Sequence, residues 1–216
     1  MSINVAYVES LEAQLESGIA YGARLSSLRG RGDDEKIGLL LALAPGDSNM
    51  GSLGPMVGRT HWSRIHAAAE CLSPDLCAVA LVVLSRRVRK RWVTFGVPSE
   101  EAFELSLLVE RAVFEGGVPN SELERAAEVV DIRGAGFDAG TVFKALDAFR
   151  ACSCRCWSNC LMGVSSVASE LRADDVAHAA IYAVATAVDL TAETRWQYDL
   201  MFALCSRSYA GGSLVS

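Results

Sequence analysis

No stretch of this sequence stays apolar long enough to cross a bilayer. The longest uninterrupted run, Leu76 to Leu84, is nine residues, where a spanning helix needs about 20. Runs of alternating β-branched residues are scarce too, which leaves little from which to build strands. The opening Met1-Ser2-Ile3-Asn4 has no basic segment ahead of an apolar one, and Glu9, Glu12 and Glu16 follow, so no secretory signal is expected. There is no excess of positive charge: the formal net charge is −6, which argues against general nucleic-acid binding. No fixed-period repeat is found either, which excludes a solenoid.

What remains is rich in apolar side chains. Hydrophobic residues make up 51% and charged residues 21%, and the mean hydropathy is +0.24, far from the disordered regime. A chain of 216 residues fits one large domain with a sizeable core. Seven cysteines is an odd number without an export signal, so reduced thiols in a cytoplasm are expected and a disulfide framework is not. Charge is unevenly placed. Arg86, Arg87, Arg89, Lys90 and Arg91 stand between Leu76 and Pro98 with no acid among them. From Ser99 to Glu128, eight acids face Arg111 and Arg125, which predicts a molecule with two electrostatic faces.

Apolar residues recur at three- and four-residue spacing, the period of amphipathic helices. The pattern predicts an all-α fold: a single-domain bundle of about eight or nine helices over residues 1–216. A first helix is expected over about 5–28, with Val5, Val8, Leu11, Leu15, Ile19 and Leu25 on one stripe. A second, capped by Asp33, stops near Leu43 at Pro45-Gly46. Gly46, Gly51, Gly54, Gly58 and Pro55 make 45–60 an irregular connection. Helices follow from His61 to Leu72, from Pro74 to about Phe95, and from Ser99 to Gly116. Another is opened by a Ser121/Glu124 capping box and broken at Gly134 and Gly136. Residues 139–171 form one long helix or two joined near Gly163, and either way are expected to carry the centre of the core. Asp174 and Asp175 open an alanine-rich helix ending near Leu190, Thr191 caps a last one to about Tyr209, and the tail frays from 211.

Several groups invite a chemical reading. Cys152, Cys154, Cys156 and Cys160 lie within nine residues, and thiolates are preferred ligands of zinc, copper(I) and iron–sulfur centres. Completing a site would require Cys71, Cys77 or a histidine. The alternative is one buried stripe of Val142, Leu146, Phe149, Cys152, Cys156, Cys160, Val164, Val167 and Leu171, with cysteine as a small hydrophobe. That packing reading is preferred, since free cysteine is among the most buried residue types, and no cofactor is expected. Gly46-Asp47-Ser48-Asn49 with Asp175-Val176-Ala177-His178 resembles the first and last blocks of the Gly-Asp-Ser hydrolases of the SGNH type. That resemblance implies Ser48 as nucleophile and His178 as base beside Asp175, but the family is α/β and the strands and oxyanion-hole blocks are lacking. His61 and His66, five apart, read as surface or satisfied core histidines. The Arg86–Arg91 run reads as a solvated helix edge before a phosphate site. Trp196 and Tyr198 read as aromatic packing, with Gln197 unplaced.

One further likeness spans about residues 141–204. Asp175-Val176-Ala177-His178-Ala179-Ala180-Ile181-Tyr182, continuing to Ala187, is followed by Glu193-Thr194-Arg195-Trp196-Gln197-Tyr198-Asp199-Leu200. Together they resemble the C-terminal part of the all-helical immunity proteins of bacterial polymorphic toxin systems. Val109-Glu110-Arg111-Ala112 and Gly116-Gly117 extend the likeness upstream, whereas the cysteine cluster and the first sixty residues depart from it. The resemblance implies a cytoplasmic, non-catalytic protein that neutralises a cognate protein toxin by binding it. An acidic surface suits that task, and Glu100, Glu101, Glu104, Glu122 and Glu124 are the candidate contact residues.

Overall fold

The computed structural model describes residues 3–17, 55–94, 100–135, 144–165 and 169–209, and among them every regular element is a helix. There are eight: α1 (Val5–Glu16), α2 (Pro55–Ala69), α3 (Pro74–Thr94), α4 (Glu100–Phe114), α5 (Asn120–Ala135), α6 (Lys144–Ser165), α7 (Ser169–Ala185) and α8 (Leu190–Tyr209). No helix among the described residues is long and apolar enough to cross a membrane.

The organising element is α3. Residues Leu76 to Ser85 of this helix are buried on every side, as an all-apolar run requires. Helices α1, α4, α6, α7 and α8 all pack against it, so the nine-residue apolar run, and not the expected 139–171 segment, is the centre of the core. α6 lies between α5 and α7, and α2 covers α7 and α8. Gly163 sets the approach of α6 to its neighbours. A β-carbon there would stand 2.6 Å from Leu81 Cδ1 and 2.9 Å from Asp175 Cβ.

Several boundaries differ from the sequence expectation, each for a local reason. α1 closes at Glu16, where the Ser17 amide and hydroxyl both turn back on the last carbonyls; Val5 on its predicted stripe is exposed while Val8, Leu11 and Leu15 are buried. Pro55 starts α2, because proline suits the first helical position, so 55–60 belongs to a helix and not to the expected 45–60 connection. Asn120 precedes Ser121 within α5, and Glu122 and Leu123 donate to Pro119 O, so the Ser121/Glu124 capping box does not form. Gly134 falls inside α5. The 139–171 segment is divided after Ser165, beyond Gly163. Asp174 and Asp175 therefore lie inside α7, not at its start. Asp189, not Thr191, caps α8 by accepting from the Ala192 amide at 2.9 Å. The predicted helix over 33–43, the tail from 211 and Ser48 lie outside the described residues.

Candidate functional site

The basic run that opens the second half of α3 is not a simple solvated edge, since only Lys90 of the five is exposed. Acids from three other helices converge on it. Arg86 donates to Glu12 of α1 and to Glu110 of α4, each at 2.9 Å. Arg89 Nη2 lies 2.6 Å from Glu110 Oε1. Lys90 reaches Glu16 at 2.7 Å. Arg87 and Arg91 both bind the same oxygen, Oε2 of Glu193 on α8. Five cations thus meet four carboxylates, all within the bundle's flanks except the exposed Lys90–Glu16 pair, and the expected basic face is largely cancelled. Burial works to raise the Glu110 carboxyl, but Arg86 and Arg89 outweigh it and hold the group below its usual range.

From Glu193, which is 1% exposed, the polar chain continues inward. Its Oε1 accepts from Gln197 Nε2 at 3.0 Å, and that amide also donates to Ala180 O. With both amide hydrogens committed, Gln197 Oε1 faces His61 Nε2 at 2.8 Å, and His61 Nδ1 receives the Tyr198 hydroxyl at 3.1 Å. This pattern requires a neutral ring with its hydrogen on Nε2. Burial lowers the His61 pKa, against the pull of Gln197 and Glu193, and so favours that neutral form. Gln197, unplaced by sequence reasoning, is the joint of a relay linking α2, α7 and α8. His61 is a satisfied core histidine. Tyr198 is buried, whereas Trp196 is half-buried beneath Arg87, whose guanidinium carbon lies 4.0 Å above the indole.

The cysteines are packed. Cys156 and Cys160 are fully buried on α6, and Cys160 Sγ donates to Leu81 O at 3.4 Å; Cys154 is half-buried and the Cys152 side chain lies outside the described residues. A second thiol group was not evident in the sequence. Cys71, Cys205 and Cys77 donate to the successive carbonyls of Ala67, Ala68 and Ala69 at the end of α2, of which Ala68 O and Ala69 O also accept the Cys71 and Leu72 amides. Burial pushes Cys77 up to about 11 and Cys205 up to about 12, which makes both poor nucleophiles. Among the described residues no set of three or more His, Cys, Asp or Glu side chains converges as a metal site would require.

His178 is exposed on α7, its Nδ1 2.8 Å from Asp174 O one turn earlier. Asp175 shares that helix, and burial raises its pKa to about 6. His66 stacks on Trp62 and pairs with Asp174 at 2.9 Å, tying α2 to α7. These contacts explain the histidines without a nucleophile.

Of the candidate contact residues, Glu104 on α4 and Glu122 and Glu124 on α5 are exposed. Glu100 and Glu101 occupy the first turn of α4, with side chains outside the described residues. Glu115 and Glu128, which sequence reasoning did not single out, are exposed around the same α4–α5 joint. Glu110 is withdrawn from that surface by its arginines. Five exposed acids, Glu104, Glu115, Glu122, Glu124 and Glu128, stand beside two exposed arginines, Arg111 and Arg125, a local charge of −3. Glu104 sits about 15 Å along α4 from the joint, at about 1.5 Å per residue, so the acid is spread over an extended face. In comparison with known proteins, no family model, no curated protein and no solved structure matches this chain.

Proposed function

We propose that this chain is a cytoplasmic, non-catalytic immunity-type protein that binds and neutralises a cognate protein toxin through the acidic face of α4 and α5. The observation that carries the reading is the inward turn of the basic run. With Arg86, Arg87, Arg89 and Arg91 paired to the buried or half-buried Glu12, Glu110 and Glu193 and Lys90 paired to Glu16 at the surface, the α4–α5 acid excess faces outward with little compensating charge. Such a field speeds encounter with a basic partner and suppresses wrong ones. Exposed Phe103 and Val129 on the same two helices supply apolar contact that charge alone does not. The occupied hydrogen-bonding capacity of His61, Gln197 and Glu193 favours a packed scaffold over a reactive centre.

The gene immediately upstream provides the test. Its product, expressed alone, should arrest growth, and this chain should restore it. Glu122→Lys, Glu124→Lys and Glu128→Lys combined should abolish that protection with the helical circular dichroism unchanged. A harmless upstream product, or protection indifferent to the three reversals, removes the proposal.

A further inference from the structure

The Arg87–Arg91–Glu193 cluster is not wholly enclosed. It forms one wall of an open cleft of about 370 Å³ between α3 and the α7–α8 joint, bordered on the other side by Ala187, Val188 and Ala192. That volume falls in the range of small-molecule sites, about 300–1,000 Å³. The lining carries three cations, Arg87, Lys90 and Arg91, against two acids, Asp189 and Glu193, a surplus of one positive charge. Lys90 is turned toward Glu16, and Asp189 toward the amide end of α8 that it caps. Arg91 has little left to offer a ligand, since it also donates to Ala183 O at 2.7 Å and Thr186 Oγ1 at 3.1 Å. Arg87 differs. Its Nε is committed to Glu193, its plane is braced on Trp196, and its two terminal nitrogens have no hydrogen-bond partner among the described residues. A guanidinium held flat with an open edge is prepared for a planar, two-oxygen acceptor.

We propose that this cleft binds a small organic monocarboxylate, its carboxylate on Arg87 and its short apolar body against Ala187, Val188 and Ala192. Charge decides between anion classes. A monocarboxylate cancels the surplus, whereas a phosphate dianion would leave net negative charge beside buried Glu193. The wall facing the arginines is aliphatic, made by Ala187, Val188 and Ala192, which suits a hydrocarbon body.

The test is isothermal titration of the full chain with benzoate, butyrate and inorganic phosphate. Saturable binding is expected for the two carboxylates, with phosphate weaker. Arg87→Gln should weaken carboxylate binding by at least about tenfold, as loss of a charge-assisted pair does. Because Arg87 also braces Glu193, Val188→Asp gives an independent arm. Val188 is 86% exposed, so an acid there leaves the fold intact and should repel the anion to a similar degree. Trp196 emission should respond to the carboxylates and lose that response in Trp196→Phe. No saturation with either carboxylate, phosphate binding as tight as benzoate, or full binding in Val188→Asp would each overturn the proposal.

Discussion

Glu193 holds two arginines on one oxygen while its other oxygen takes an amide, all inside the bundle. Removing its charge strands both cations, and breaking a buried pair from one side typically costs about 3–5 kcal/mol. Glu193→Gln should therefore lower stability by that amount in urea unfolding, whereas Lys90→Ala, at a pair more than half exposed on both sides, should change it by less than about 1 kcal/mol. Asp175 carries a second, pH-dependent effect. Its carboxyl titrates near 6 in the folded chain against 3.8 for the free group, so between about pH 4 and 6 the folded state keeps a proton that the unfolded state has released. Its contribution to stability falls as pH rises through that window. Asp175→Asn should raise stability near pH 7 by about 1–2 kcal/mol, screening by solvent included, and thermal melts from pH 4 to 7 should show the gain growing with pH. His61 acts in the opposite sense. Its lowered pKa means the unfolded chain takes up the proton first, so its contribution is lost as pH falls through its ordinary value of 6.5.

At the scale of elements, the central helix α3 is buried and apolar in one half and cationic in the other, where the arginines are half-buried and Lys90 is exposed. The apolar half was legible from Leu76–Leu84 alone, because a helix hydrophobic on all sides has to be surrounded. The cationic half was not, since Arg86–Arg91 has the same spacing whether it meets water or carboxylates 74 residues before it and 106 after it. The helix ends show a similar division. Pro74 marked a start correctly, but the capping Asp189 was passed over for Thr191, two positions from an equally good acceptor for backbone amides. Gly163 read as a breaker and is a contact point. A methyl group added there would meet Leu81 Cδ1 at 2.6 Å and Asp175 Cβ at 2.9 Å, so Gly163→Ala should force α6 away from α3 and α7. A loss of about 1–3 kcal/mol is expected, despite the higher helix propensity of alanine, and calorimetric melting would measure it.

Across the whole molecule, the thiols report how tightly the bundle is closed. Cys77, Cys156, Cys160 and Cys205 are buried in the core, so their reaction with a disulfide reagent should be limited by opening of the fold, and half-buried Cys71 and Cys154 should react first. Mass spectrometry after timed labelling distinguishes the two classes, and fast labelling of Cys160 would contradict the packed core. The all-α architecture and the burial of Cys156 and Cys160 were determined by the sequence itself, because they follow from local periodicity and from where apolar side chains can hide. The acidic surface was legible in part: Glu104, Glu122 and Glu124 stand outside, but Glu110 does not. Which acids answer the arginines, why Gln197 is buried, and that one guanidinium edge opens on a cleft were decided only by the tertiary structure. Those properties belong to pairs far apart in the chain, and a Coulombic partner, unlike an apolar stripe, leaves no period in the residues around it.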